Sequence, residues 1–170
     1  TTITIPNSIT YIGICAFSWC SSLESIEIPN GVSKILFSTF ICCLSLKNVV
    51  LPNSITAINN SAFSGCKSLM SIEIPNSVTY IGDYAFSGCD KLQNINMPNS
   101  LDHIGVSPFE DCGSLKYNEY DNANYLGNES NPFLLLISAM DTNISDCEIN
   151  PNTKFIHDYA FSNCKNLESI

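Results

Sequence analysis

The chain has 170 residues, 45% apolar and 14% charged, with 16 acids against 7 bases for a formal net charge of −9. That is enough apolar content for a continuous core, and every base is a lysine. An acidic chain without arginine lacks the two-pronged ligand for phosphate and guanine and repels polyanions, which argues against nucleic acid or an anionic membrane surface as partner. Its longest apolar run, residues 133–137, is strand-sized and far short of the ~20 residues that span a bilayer.

Read from the start, the chain repeats every 23 residues: Pro6, Pro29, Pro52, Pro75 and Pro98 keep that step, as do Phe17, Phe40, Phe63, Phe86 and Phe109. Cys20, Cys43, Cys66, Cys89 and Cys112 follow it, and so do Leu23, Leu46, Leu69, Leu92 and Leu115. A fixed period in this range marks a repeat solenoid, in which each coil buries its apolar face only against its neighbours. The opening residues 1–6 match the end of a strand unit, residues 167–170 stop part-way through another, and neither end has the polar character of a cap. Residues 1–170 therefore read as one solenoid, a fragment of a longer array.

Residues 23–29, Leu-Glu-Ser-Ile-Glu-Ile-Pro, are the first complete strand, and its relatives begin at Leu46, Leu69, Leu92 and Leu115. The pattern L-x-x-I-x-I has the two-residue alternation of a half-buried strand, and the proline after it, lacking an N–H, stops each strand at the same height. A turn follows at Asn7, Asn30, Asn53, Asn76 and Asn99. Asparagine suits it by tolerating left-handed geometry, and stacked amides are placed to bond along the array. The pairs Ile9/Ile12, Val32/Ile35, Ile55/Ile58, Val78/Ile81 and Leu101/Ile104 predict a second short extended segment per coil. Ala-Phe-Ser-x-Cys, at residues 62–66 and 85–89, predicts a short helical turn with Phe and Cys inward, so helix content is low.

The period fails once. Ile144-Ser145-Asp146-Cys147-Glu148-Ile149 restores the strand pattern 29 residues after Leu115, so one coil is 6 residues longer. Residues 121–143 form that irregular coil. Within it, 125–127 and 133–138 flank the polar 128–132 as a hairpin-like pair of strands. The final unit returns to normal length.

The unit from Ile74 through Leu92, I-P-N-S-V-T-Y-I-G-D-Y-A-F-S-G-C-x-x-L, resembles the BspA-like leucine-rich repeat family, and the resemblance covers nearly the whole chain. Residues 122–149, with Y-L-G-N-E-S-N-P, are similar to a segment interposed among such repeats. The resemblance implies a right-handed leucine-rich-repeat superhelix with a parallel β-sheet and little helix. It also implies cell-surface or secreted proteins that adhere to host or extracellular-matrix proteins. It brings no catalytic residues. Thr39 and Pro108 stand where the family pattern has the alanine of Ala-Phe.

No enzymatic, metal or cofactor constellation stands out. Six of the nine cysteines (the repeat column and Cys164) read as reduced core thiols, small hydrophobes rather than ligands, since no C-x-x-C pair is present. Cys15 and Cys42 lie off the column and are the reactive candidates. His103 and His157 read as surface or turn residues, without a recurring acid and nucleophile. The candidate binding face is formed by the outward strand positions: Glu24, Lys47, Met70, Gln93 and Lys116; then Tyr117; then Glu27, Val50, Glu73, Asn96 and Glu119. Val50, Met70 and Tyr117 are its anchors, because hot spots favour large side chains. The rival site is the irregular coil, with Asn128, Glu129 and Asn131. Three sequons begin at Asn59, Asn128 and Asn143. The reading is a non-enzymatic adhesion module for a host, matrix or other surface protein. The alternative is a structural spacer or scaffold that associates with itself end to end.

Overall fold

The computed structural model describes residues 2–170; the sequence reading that starts a strand unit at Thr1 lies partly outside them. The described residues hold no helix, and residues 2–115 form a parallel β-solenoid. The chain divides into two compact units, Thr1–Leu115 and Lys116–Ile170.

In the first unit the strands alternate between two sides of each coil. They are β1 (Thr2–Ile3), β2 (Ser25–Glu27), β3 (Lys34–Ile35), β4 (Asn48–Val50), β5 (Ala57–Ile58), β6 (Ser71–Glu73), β7 (Tyr80–Ile81), β8 (Asn94–Asn96) and β9 (His103–Ile104). The L-x-x-I-x-I segments pair in parallel as β1-β2-β4 and, separately, β6-β8, while the second segments form a continuous parallel sheet, β3-β5-β7-β9. Every pairing keeps the repeat register: Ile26 lies opposite Val49, Ile72 opposite Ile95, and Ile58 opposite Ile81. The register is fixed because a one-residue slip would turn each buried isoleucine to solvent.

Inside the coils, Phe17, Phe40, Phe63, Phe86 and Phe109 stack with ring centroids 5.3, 5.3, 5.4 and 5.8 Å apart. The cysteine column runs beside them. The thiols of Cys43, Cys66, Cys89 and Cys112 donate to the carbonyls of Phe17, Phe40, Phe63 and Phe86, at 3.0, 3.2, 3.3 and 3.1 Å. The thiols therefore hydrogen-bond one coil to the previous one while filling the core, and none is paired as a disulfide. Cys20, expected in the core with them, is exposed, because among the described residues its coil is covered on one side only.

The Ala-Phe-x-x-Cys segments are compact turns, as expected, but their hydrogen bonds are not those of a helical turn. Successive N–H groups alternate in direction. Ala62, Ser64 and Cys66 bond back to Asn59, Ser61 and Phe63 of their own coil, while Ser61, Phe63 and Gly65 bond to Asp83, Ala85 and Ser87 of the next. A helix would keep all of them within one coil. The alternation requires left-handed backbone at two positions per coil. One holds Cys15, Ser38, Ser61, Tyr84 and Ser107, and the other Trp19, Cys42, Gly65, Gly88 and Asp111. Only Gly65 and Gly88 take that conformation without steric cost. Both irregular residues fit this scheme. The Thr39 hydroxyl is buried but donates to the Leu36 carbonyl at 2.9 Å. Pro108 occupies a position whose N–H would serve only its own coil, and its carbonyl still accepts from Phe86 at 2.8 Å.

The expected asparagine ladder is sparse: the Asn76 amide oxygen accepts from the Asn99 N–H at 3.4 Å. The regular ladder is made instead by the serine that follows. Ser54, Ser77 and Ser100 donate to the Val32, Ile55 and Val78 carbonyls at 2.7, 2.6 and 2.7 Å.

The second unit holds β10 (Asn118–Tyr120), β11 (Ala123–Leu126), β12 (Leu135–Ala139) and β13 (Phe155–Ile156) in that order. The hairpin is present: β11 and β12 are antiparallel, with Leu126 opposite Leu135 and a bulge between Asn124 and Tyr125. The segment after Leu115, expected to continue the parallel stack, instead supplies β10, which pairs antiparallel with β11 through the tight corner at Asp121. Residues 144–149 are not a strand beyond a single bridge, Asp146 to Ser169, although Cys147 is buried as expected. The unit's core gathers Ala123, Tyr125, Leu136, Cys147 and Ala160, with Tyr120 and Phe133 against it.

Candidate functional site

The strand alternation that buries Ile26, Ile72 and Ile95 turns their neighbours outward. In the first unit Glu24, Glu27, Lys47, Val50, Met70, Glu73, Gln93 and Asn96 are all exposed; in the second, so are Lys116, Tyr117 and Glu119. Val50 is 56%, Met70 52% and Tyr117 37% exposed, large apolar side chains with no core role. Lys47 is drawn toward Glu24, whose carboxylate accepts from its Nζ at 3.0 Å. The only other ion pair among the described residues is Lys67 to Asp90 at 3.5 Å, so neither Glu27 nor Glu73 has a cation beside it.

One feature of this face has no counterpart in the repeat pattern. The parallel ladder is interrupted between β4 and β6, which belong to separate sheets. Lys47 donates to the Glu24 carbonyl at 2.9 Å and Ile28 to the Val50 carbonyl at 3.0 Å. The same bonds one coil on, Met70 to Lys47 and Leu51 to Glu73, are absent. The other two sides of these coils stay joined, by β3 to β5 pairing and by the turn bonds Ser38 to Asn60, Phe40 to Ala62 and Cys42 to Ser64. The coils therefore part on the strand side alone. They leave a cleft of about 300 Å³ between residues 48–51 and 71–73. Val49 and Leu51 are half-buried there, whereas Ile26, Ile28, Ile72 and Ile74 at equivalent positions are buried.

The loop candidates have a different character. The Asn128 side-chain oxygen accepts from the Ser130 N–H, the Ser130 hydroxyl and the Asn131 N–H at 2.9, 2.7 and 2.9 Å. Asn131 accepts from the Phe133 N–H at 3.2 Å and donates to the Asn152 carbonyl at 2.9 Å. The Asn128 amide oxygen closes the turn, the Asn131 amide nitrogen ties it to Asn152, and Glu129 alone of the three is exposed. Of the sequon asparagines, Asn143 is exposed while Asn59 and Asn128 are half-buried.

The thiols divide as their positions require. Burial pushes the Cys43 thiol up to about 11 and moves Cys66 further in the same direction, which makes thiolate chemistry unfavourable at those two positions. Cys15 is exposed and Cys42 half-buried. On the second sheet Tyr80 and His103 stack at 4.7 Å, and the Asn60 amide donates to Asp83 at 2.9 Å. The period does not announce that polar column, because its residue types change from coil to coil. Among the described residues no group of three His, Cys, Asp or Glu is placed to hold a metal ion.

Comparison with known proteins agrees with this geometry. The family model described as BspA type leucine-rich repeat region matches residues 1–128 and 138–170, in 6 copies. A leucine rich cell surface protein from Faecalibacterium prausnitzii is 32% identical with a TM-score of 0.64, covering 84% of this chain and 36% of its own. A leucine rich repeat protein from T. pallidum, TpLRR, is 23% identical with a TM-score of 0.66, over 98% and 77% of the two chains. A leucine-rich repeat protein from Bacteroides ovatus is 25% identical with a TM-score of 0.57, over 99% and 56%. The chain thus spans about a third of the length of the Faecalibacterium protein. No curated protein sequence matches it significantly. With the repeat, the solenoid and the family match in agreement, the chain belongs to the BspA type leucine-rich repeat family.

Proposed function

We propose that this chain is a non-enzymatic protein-binding segment of a cell-surface or secreted protein, and that it holds a host, matrix or other surface protein on its outward strand positions. The observation that carries this is the exposure of Val50 and Met70 on a polar strand face whose buried positions are otherwise strictly apolar. Large apolar side chains in that setting are what interfaces use as anchors. The family is one of repeats used mainly in protein interaction, and a 32% identical relative is described as a cell surface protein. Weak contacts repeated along an array sum to useful avidity.

The test is surface plasmon resonance of the immobilised chain against purified extracellular-matrix proteins, one at a time, with the Met70→Ala/Tyr117→Ala double variant alongside. Specific binding lost at least tenfold in the variant is the expected result. Equal binding by both, or no binding together with concentration-dependent oligomers in sedimentation, would favour the self-associating scaffold instead.

A further inference from the structure

The outward side of the turns changes character between the second and third coils. Ile14 and Phe37 hold one repeat position where the next two coils have Asn60 and Asp83. Leu44 stands where those coils have Lys67 and Asp90, and Trp19 stands in the column that Gly65 and Gly88 continue. The later coils make the same turn bonds with these residues, Ser61 donating to Asp83 and Tyr84 to Val106, so the fold does not need the apolar ones. Yet Trp19 is 70%, Ile14 61%, Phe37 49% and Leu44 40% exposed. Phe37 and Leu44 belong to a coil bonded on both sides, with Cys15 donating to Phe37 and Ser38 to Asn60. They are therefore exposed at the side of the solenoid, not at an end. The Tyr11 ring extends the patch over Gly13, 3.7 Å from where a Cβ there would stand.

Charge and area select the occupant. Residues 1–47 hold two acids and two lysines, Glu24, Glu27, Lys34 and Lys47. That leaves 14 acids and 5 lysines, the whole net charge of −9, to residues 48–170. Two copies repel one another through their acidic coils, and can meet without that cost only where the charge is absent. Tyr11, Ile14, Trp19, Phe37 and Leu44 together expose on the order of 500 Å² of side chain. A standard interface buries about 800 Å² on each partner, and homodimer interfaces are about 65% apolar with few charges at their core. The uncharged apolar surface present is thus what one copy must bring. Non-obligate interfaces with other proteins are no more apolar than ordinary surface. An apolar face is also complementary to itself, as a two-fold dimer requires of a patch that meets its own copy.

We infer that this chain forms a two-fold dimer through the turns at residues 14–19 and 37–44, with Trp19, Phe37 and Leu44 at the centre of the interface. The contact is side by side, distinct from the stacking of one solenoid end on another, and it uses none of the outward strand residues. The dimer presents two strand faces, so a partner with repeated sites is held with the avidity of both.

The experiment is sedimentation velocity over about 1–300 μM, with reductant present to keep the exposed Cys15 and Cys20 from linking copies. A monomer–dimer equilibrium without larger species is expected, half-complete below about 100 μM. Trp19 is the only tryptophan, so its emission should move to shorter wavelength over the same range as the interface excludes water. Phe37→Asn/Leu44→Lys places at both positions the residues that the next coil already carries. Its circular dichroism should match the parent, and its dissociation constant should rise about tenfold or more. Tyr84→Ser, at an exposed aromatic outside the patch, should leave that constant unchanged. A parent that stays monomeric to the top of the range, open-ended growth, a double variant that pairs as the parent does, or an equal loss in Tyr84→Ser would overturn the inference. If the monomeric parent's Trp19 emission instead shifts on phosphatidylcholine vesicles, the face belongs to a lipid surface and the second-copy assignment falls. If the parent stays monomeric and the double variant loses matrix-protein capture, the face belongs to that partner and the assignment falls as well. A closed dimer is told from an end-to-end array by the absence of larger species, so this result is separate from the strand-face reading.

Discussion

Replacing Phe63 by alanine should weaken the molecule far more than the same change at Phe17. Phe63 is fully buried and lies between Phe40 and Phe86, with ring centroids 5.3 and 5.4 Å away. Removing a buried phenylalanine side chain costs about 3–5 kcal/mol, and the two lost stacks, at about 0.5–1.5 kcal/mol each, place Phe63→Ala near the upper end. Phe17 is only half-buried and has a single stacked neighbour, at 5.3 Å, so its loss should cost about 1–2 kcal/mol. Because solenoid stability is a sum of coil and nearest-neighbour terms, the central defect weakens two interfaces at once. Equilibrium urea unfolding followed by far-ultraviolet circular dichroism measures both. The Phe63 variant should also unfold over a broader range or in two steps, as cooperativity between the flanking coils is cut. A loss at Phe63 below about 2 kcal/mol, or no larger than at Phe17, would refute the view that the phenylalanine stack is the spine of the first unit.

Three further outcomes follow from particular residues. Thiol labelling of the native chain should modify Cys15 and Cys20 first and Cys42 more slowly, leaving Cys66 and Cys89 unreacted until urea is added; mass spectrometry of the labelled peptides reads the order. Stability should fall as pH rises above about 9 toward 11, because burial raises the native-state value of Cys43 to about 11 from a reference of 9.0. Its contribution is complete below the unfolded value and is lost on passing through the folded one; urea midpoints that stay flat from pH 8.5 to 11 would contradict this. Gly82→Ala should destabilise by about 1–3 kcal/mol, since a Cβ there would sit 2.5 Å from the Asn60 backbone nitrogen. Gly113→Ala, with no atom within 4 Å of the added carbon, should stay within about 0.5 kcal/mol of the parent.

How much of this could be read from the sequence differs from element to element. The 23-residue step places Phe40, Phe63 and Phe86, Cys43, Cys66 and Cys89, and Ile26, Ile72 and Ile95 in the core, and all are buried. Side-chain periodicity reports which way residues point, and that is the property a solenoid repeats. It does not report where a backbone N–H goes. The alternation of bonds between a coil's own carbonyls and those of the next coil is therefore not legible, and the turns, expected to be helical ones, are not. The signal that was present is Gly65 and Gly88, which hold the left-handed position of that turn. The serine ladder escaped for a related reason: Ser54, Ser77 and Ser100 look like turn residues beside the more conspicuous asparagines, and their inter-coil bonds show only when coils are stacked. The direction of β10 is set by the corner at Asp121 rather than by its own L-x-x-x-x-x pattern, which a parallel strand would satisfy equally well. On the outward face, exposure was legible and pairing was not. The open cleft beside Val50 is marked in the sequence only by Val49 and Leu51 standing where neighbouring coils have isoleucine.

The most direct measurement is hydroxyl-radical footprinting of the chain alone and in complex with a bound matrix protein, read residue by residue by mass spectrometry. Binding on the strand face predicts strong protection of Met70 and Tyr117 and little change at Trp19 and Tyr159, which are 70% and 78% exposed on turns. Protection of Trp19 and Tyr159 with Met70 and Tyr117 still oxidised at the free rate would place the partner on the turns and contradict it.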